Sequence, residues 1–232
     1  KGQHVAMIEQ SDLMFGGTCI NIGCIPTKTL VHLAKEASLK KGASFEQRKE
    51  YYKEAIAQKD KVTAMLRNKN YHLLADNPLI DIFVGKGAFC SKDTIEVTTA
   101  TEHMTLQAEL IVINTGSETV IPAIKGVKDN PLVYTSTSIM QLAELPRRLT
   151  IIGGGYIGLE FASIYASFGT QVTVLESYPI LIGREDRDIA DCVKAALEKK
   201  GIRFIMNAKV EKVISSTVNY VDATDGNMHS ID

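Results

Sequence analysis

Apolar positions along this chain fall into two kinds of run. Short unbroken ones, at residues 5–8, 110–113, 149–152 and 172–175, have the length and density of strands buried in a parallel sheet. Longer stretches, at about 24–40, 47–75, 159–168 and 186–199, space their apolar residues at helical intervals. Lys41 and Gly42 break the first of these helices, and Ser44 is placed to cap the second. On that second helix Tyr51, Ala55, Val62, Met65 and Leu66 are expected on one side, with Lys and Glu on a solvated face, and Pro78 ends it. An antiparallel meander is predicted at 80–84, 87–89, 94–98 and 105–107, and a short helix at 138–145. Strands are predicted at 203–206, 209–214 and 218–222, with another starting at 228–231.

Two of the short runs repeat each other. Gly2, Val5 and Glu9 fall on Gly169, Val172 and Glu176 without a gap, which predicts two copies of one supersecondary unit. The second copy is complete. Its strand leads into Gly153, Gly154, Gly155, Tyr156, Ile157 and Gly158, then a helix, with an acidic residue about twenty positions on. In such a loop Gly153 allows the tight turn, Gly155 lets backbone approach a pyrophosphate at the helix N-terminus, and Gly158 lets helix pack on strand. Glu176 would accept hydrogen bonds from ribose hydroxyls. The matching loop of the first copy would precede residue 1, so the chain reads as an internal piece of a longer protein. The fold class expected is α/β, with two Rossmann-like, three-layer dinucleotide-binding domains, the first incomplete at its N-terminus.

The chemistry concentrates at residues 16–28, where Cys19 and Cys24 stand with four residues between them at the expected entrance of a helix. Pro26 suits a first helical turn. The positive end of the helix dipole favours a thiolate by at most about 2 kcal/mol, roughly one pKa unit. Lys28, four residues after Cys24, shares its helix face. The arrangement suits two cysteines that cycle between disulfide and dithiol. Cys90 and Cys192 stand alone, in a β-segment and a helix, and are expected to pack.

Composition narrows the setting. The 232 residues suffice for two domains, and a net charge of −1 gives no reason to expect nucleic acid or an anionic membrane as partner. Mean hydropathy is +0.00. No apolar run is long enough to span a bilayer, and the start lacks a signal-peptide pattern. The 4 cysteines are spaced as neither a disulfide scaffold nor a zinc site, so no metal ligand set is assigned. A cytoplasmic protein is expected.

The stretch Gly16-Gly17-Thr18-Cys19-Ile20-Asn21-Ile22-Gly23-Cys24-Ile25-Pro26-Thr27-Lys28 resembles the redox-active site of the pyridine nucleotide–disulfide oxidoreductases. These are the FAD flavoenzymes that include lipoamide dehydrogenase, glutathione reductase and mercuric reductase. The resemblance implies a partial FAD-binding domain over 1–117 and an NAD(P)H-binding domain over 118–232, truncated at its C-terminus. It implies FAD between a pyridine nucleotide and a Cys19–Cys24 disulfide, with Cys24 nearer the flavin and Cys19 exchanging with the acceptor. Lys28 matches the lysine beside the flavin, Glu160 its ion-pair partner, and Tyr156 the aromatic gate over the nicotinamide pocket. Glu9 matches the ribose ligand on the FAD side. Gly17 and Thr18 match residues along the pyrophosphate, and Thr115 and Gly116 the turn that leaves the FAD domain. The family's dimerisation domain, which supplies a His-Glu acid–base pair to the partner subunit, matches nothing here; a homodimer is expected of the full-length protein.

Ile25 to His32, residues 67–70 and residues 183–188 are most similar to the bacterial reactive-chlorine-resistance branch of the family, related to mercuric reductase and linked to copper(II) reduction. The implied acceptor is a disulfide or a metal ion such as Cu(II) or Hg(II). Dihydrolipoamide dehydrogenase is the alternative, and a non-catalytic nucleotide-binding redox sensor is the alternative of another class. Glu176 would repel a 2′-phosphate, which favours NADH over NADPH, with Arg184 and Arg187 near enough to oppose it.

Overall fold

The computed structural model describes residues 2–232. The chain forms two compact units. The first comprises residues up to Pro26 with Asp60–Glu118, the second Thr27–Lys59 with Thr119–Asp232. Two helices, α2 (Cys24–Leu39) and α3 (Phe45–Ala75), contribute to both.

The first unit holds one sheet in the order β1-β2-β3-β4. Strand β1 (Val5–Glu9) lies parallel to the first half of β2 (Ile80–Phe89), Val5 opposite Ile80 and Glu9 opposite Val84. From Gly85 onward β2 pairs antiparallel with β3 (Thr94–Thr99), which pairs with β4 (His103–Gln107). The handover needs a glycine, because a Cβ on Gly85 would lie 2.4 Å from the Thr98 carbonyl oxygen. The two predicted runs 80–84 and 87–89 are therefore one strand. The expected strand at 110–113 does not form: Leu110, Val112 and Ile113 are 80%, 78% and 70% exposed. A strand needs a hydrogen-bonding neighbour as well as apolar residues, and no strand pairs with this run among the described residues.

The second unit contains a complete βαβαβ turn. Strands β5 (Arg148–Ile152), β6 (Gln171–Leu175) and β7 (Arg203–Ile205) are parallel in that order. Helix α4 (Tyr156–Phe168) makes the first crossover and α5 (Arg187–Glu198) the second. Helix α4 buries Leu159, Ala162 and Phe168 and ends at Gly169 in the left-handed conformation (φ 101°), which ordinary side chains avoid. An antiparallel sheet follows, with β9 (Thr217–Asp222) between β8 (Ala208–Ile214) and β10 (Met228–Ile231). Val127, Leu175, Val213 and Tyr220 belong to its core.

Helix α3 begins as expected at Ser44. Its hydroxyl accepts from the Gln47 amide while its own amide donates to Gln47 Oε1, at 3.3 and 2.8 Å, a capping box. The buried side matches the expected one at Ala55 and differs elsewhere. Tyr52, Ala55, Lys59 and Thr63 are buried, whereas Met65 is 61% exposed. Periodicity misses this stripe because two of its members are polar. Lys59 donates to the Met140 carbonyl at 2.8 Å, where the predicted helix 138–145 is only a 3-10 turn at Ser138–Gln141. Cys90 and Cys192, expected to pack, are both exposed, at the end of a hairpin strand and on the outer side of α5.

Tyr52 and Tyr165 form a buried pair with hydroxyls 3.0 Å apart; Tyr52 donates to the Leu142 carbonyl at 2.8 Å and Tyr165 to that of Ile139 at 3.0 Å. Burial pushes the Tyr52 phenol up to about 12, and Tyr165 in the same direction. A phenol raised in the folded state stabilises it fully below its ordinary value of about 10, and that contribution is lost as pH rises through the folded value. Urea midpoints should therefore fall between about pH 10 and about 12. Tyr52→Phe should make that fall shallower, and an unchanged slope in both Tyr52→Phe and Tyr165→Phe would exclude the pair as its origin.

Candidate active site

In the first unit the cysteine loop is tied down before either cysteine is reached. Glu9 ends β1, and its Oε1 accepts from the Ser11 amide at 3.1 Å. A 3-10 turn at Asp12–Met14 follows, and Arg67 Nη1 donates to the Leu13 carbonyl at 3.0 Å. Phe15, 3% exposed, meets Tyr71 edge to face at 4.9 Å between ring centroids.

Cys19 lies in a short helix, α1 (Gly17–Asn21), and Cys24 opens α2. The amide of Asn21, buried between them in sequence, donates to the Phe15 and Gly17 carbonyls at 3.0 and 2.9 Å. Helix α1 closes with the Ile22 amide on the Thr18 carbonyl at 3.0 Å. Gly23 turns the chain into α2; a Cβ there would come within 3.0 Å of that carbonyl oxygen. The turn brings the two thiols within hydrogen-bonding reach, and both are exposed.

The Cys19 thiol is pushed up, first by its hydrogen bond to Cys24, then by desolvation and by the Cys24 charge. The backbone amides of Cys24 and Ile25 at the start of α2 pull it down, and lose. The lowering expected from the helix end is present but outweighed at Cys19, because a dithiol carries one negative charge more readily than two. Gly17 and Gly116 adopt positive φ (73° each), and an added Cβ on either would meet nothing within 4 Å. Thr18 and Thr115 are exposed.

In the second unit the glycine loop joins β5 to α4. Gly153 has φ 105°, and Gly155 is the N-cap of α4, with open space where a Cβ would point. A Cβ on Gly158 would stand 2.3 Å from the Gly153 carbonyl oxygen, so helix and turn touch there. Glu176, 9% exposed at the end of β6, accepts from the Gly154 amide at 2.7 Å through Oε2 and from the Tyr178 amide at 3.0 Å through Oε1. The carboxylate thus fixes the loop's shape. Leu181 also lies against Gly154, which a side chain would displace.

Lys28 of α2 forms an ion pair with Glu160 of α4, the lysine 69% and the glutamate 25% exposed at the side chain. Tyr156 donates its hydroxyl to Glu185, whose carboxylate holds the phenol's proton on and pushes its pKa up. Arg187 is paired with Asp191 at 3.2 Å. Asn21 and Glu185 were not singled out by sequence. An asparagine between two cysteines in a glycine-rich stretch was a usable signal for Asn21, whereas Glu185 is found only by folding the loop after β6. Among the described residues no helix is long and apolar enough to cross a membrane.

The chain is similar to known proteins over nearly its whole length. The chain is 47% identical over 212 residues to the probable pyridine nucleotide-disulfide oxidoreductase RclA of Escherichia coli strain K12, covering 91% of this chain and 45% of that protein. It is 34% identical over 220 residues to the mercuric reductase of Lysinibacillus sphaericus, covering 93% of this chain and 39% of that one. Among solved structures, the Cu(II) complex of the HOCl-induced flavoprotein disulfide reductase RclA from Escherichia coli superposes with a TM-score of 0.87 at 43% identity, over 100% of this chain and 50% of that chain. The chain thus spans about half the length of the curated relatives it matches. The family described as pyridine nucleotide-disulphide oxidoreductase matches residues 1–232, and the chain belongs to it.

Proposed function

We propose that the full-length protein to which this chain belongs carries electrons from NADH, through FAD, to the Cys19–Cys24 pair and on to a disulfide or a metal ion such as Cu(II) or Hg(II). The observation that carries the reading is the pair of exposed, hydrogen-bonded thiols in a chain that also has a glycine loop locked by a buried acid. A dithiol releases two electrons and two protons on closing to a disulfide, so it can serve either acceptor class. The Cu(II) complex of RclA and the mercuric reductase support the metal-ion acceptor. Activity, acceptor and a homodimeric assembly are proposed for the full-length protein.

FAD fits the first unit: Glu9 ends a parallel strand, and Gly17 and Gly116 leave space that a side chain would fill. Glu9 would hold the adenosine ribose, with Gly17, Thr18, Thr115 and Gly116 along the rest. When bound, the flavin supplies conversion of a hydride into two electrons for the disulfide. The remaining steps belong to the chain. Gly153, Gly155 and Gly158 let the pyrophosphate of NADH approach the start of α4, and Glu176 sits where a 2′-phosphate would be repelled. Arg187 is engaged with Asp191, which further favours NADH. Tyr156 must leave Glu185 to admit a nicotinamide, and Lys28, paired with Glu160, would offer a positive charge to the reduced flavin.

Cys19 keeps its proton against Cys24, so exchange requires a base to remove it. With a disulfide acceptor, the Cys19 thiolate attacks one sulfur and expels the other as a first thiol; Cys24 then attacks the Cys19 sulfur of the mixed disulfide, expelling the second thiol as the Cys19–Cys24 disulfide re-forms. With a metal acceptor, the two thiolates ligate the metal and the disulfide forms as two electrons pass to one Hg(II) or to two Cu(II). Titration of the full-length, FAD-loaded protein with NADH tests the reading. A long-wavelength thiolate–flavin absorption should appear within one equivalent; flavin that is reduced without that band would reject the Cys24 assignment.

A further inference from the structure

The second unit has a cleft that the proposed chemistry does not use. Its volume is about 510 Å³, within the range of roughly 300–1,000 Å³ typical of small-molecule sites. It lies along α2 and α4 and reaches the start of α3 and the turn after α5. Lys35, Arg48 and Lys200 line it together with Ser38, Ser163 and Ser167, and no Asp or Glu does. Buried Ala34 and Ile164, each 1% exposed, provide an apolar floor.

The three cations are uncompensated. Two neighbouring carboxylates pair elsewhere: Glu46 with Lys49 and Arg147, and Glu198 with Lys194. Among the described residues none of the three has a carboxylate partner. Two of them are nonetheless positioned. Lys200 Nζ donates to Ser163 Oγ at 2.9 Å, and Arg48 Nε donates to the Ala43 carbonyl at 3.3 Å, which uses one of five guanidinium donors. The Arg48 stem also lies against Gly169, where a Cβ would meet its Cδ at 2.7 Å. Like charges held around one cleft without a counter-charge are unfavourable unless an anion joins them; the Ser38 hydroxyl donates to the Lys35 carbonyl at 2.6 Å, whereas Ser163 accepts from Lys200 and keeps its proton to offer a phosphate oxygen.

We propose that this cleft binds a phosphorylated small molecule, its phosphate held by Lys35, Arg48 and Lys200 and its carbon skeleton over Ala34 and Ile164. The site is separate from the glycine loop and does not depend on the redox reading. It does share two helices with it. Lys28 and Glu160 join α2 to α4, and the cleft residues Lys35 and Ser163 lie further along the same helices. A bound phosphate therefore braces the helix pair that carries the ion pair.

Inorganic pyrophosphate is the probe, followed by calorimetry on this chain. One saturable site per chain is expected, together with a thermal midpoint that rises with pyrophosphate. Lys35→Ala/Lys200→Ala should weaken binding about tenfold per lysine, while Lys35→Arg/Lys200→Arg should retain it. Pyrophosphate could also enter the glycine loop, so the site must survive Gly155→Val, which fills that loop at an unstrained φ of −79°. Loss of binding in Gly155→Val, no effect of Lys35→Ala/Lys200→Ala, or no saturable binding at all would each overturn the proposal.

Discussion

Cys24→Ala in the full-length, FAD-loaded protein should lower acceptor reduction by at least about a thousandfold, the scale on which loss of a covalent participant is felt. The same substitution has a second readout that needs no flavin. Cys19 is pushed up mainly by the Cys24 side chain, through its hydrogen bond and its charge, while the backbone amides of residues 24 and 25 pull it down. Removing the sulfur leaves the amides in place, so the Cys19 pKa should drop and its alkylation by iodoacetamide near neutral pH should accelerate. An alkylation rate that is unchanged or slower would show that Cys24 does not control its neighbour. The reciprocal change, Cys19→Ala, should abolish exchange with disulfide acceptors while keeping the long-wavelength absorption proposed for Cys24 and the flavin.

Gly158→Ala should have the largest effect in the second unit. The added carbon would stand 2.3 Å from the Gly153 carbonyl oxygen and 3.3 Å from Ile151 Cγ2, and the first of these is backbone that cannot swing aside. Relief requires α4 to move off β5, at a cost of about 1–3 kcal/mol. NADH affinity should fall about a hundredfold or more as the loop loses its shape, equivalent to roughly 2.7 kcal/mol. Gly155→Ala provides the contrast, because a methyl there meets nothing within 4 Å. It should leave the melting temperature within about a degree and still weaken NADH binding, since the space it fills is where a pyrophosphate must come. Equal melting temperatures for the two variants, measured by circular dichroism, would refute the packing role of Gly158.

These contrasts also mark what was legible in the sequence. The two strand ends at Glu9 and Glu176, the start of α2 at Cys24 and the glycine loop all follow from local pattern, because each depends on residues adjacent in the chain. The resemblance supplied Lys28 and Glu160 as a pair 132 positions apart, which no local rule reaches, and the fold joins them. The strand expected at 110–113 failed because apolar content does not report which neighbour a strand will have. Apart from Ala55, the buried face of α3 was missed because Lys59 and Thr63 are polar: the Lys59 ammonium is buried through its bond to the Met140 carbonyl, a tertiary contact that periodicity cannot register, and the buried Thr63 hydroxyl has no hydrogen-bond partner among the described residues. Cys90 and Cys192 were misjudged because average burial of a residue type is a weak guide to a single position.

Strand β2 has one more consequence. Its first half is registered against β1 and its second half against β3, within one continuous backbone. Slipping one half by a residue would drag the other with it and turn every side chain to the opposite face. The hairpins at residues 85–107 therefore act as a ruler for the strand that ends in Glu9. The height of that carboxylate is set by turns eighty to a hundred residues away in sequence, so a single-residue insertion between Val84 and Gly85 would misplace it without touching it.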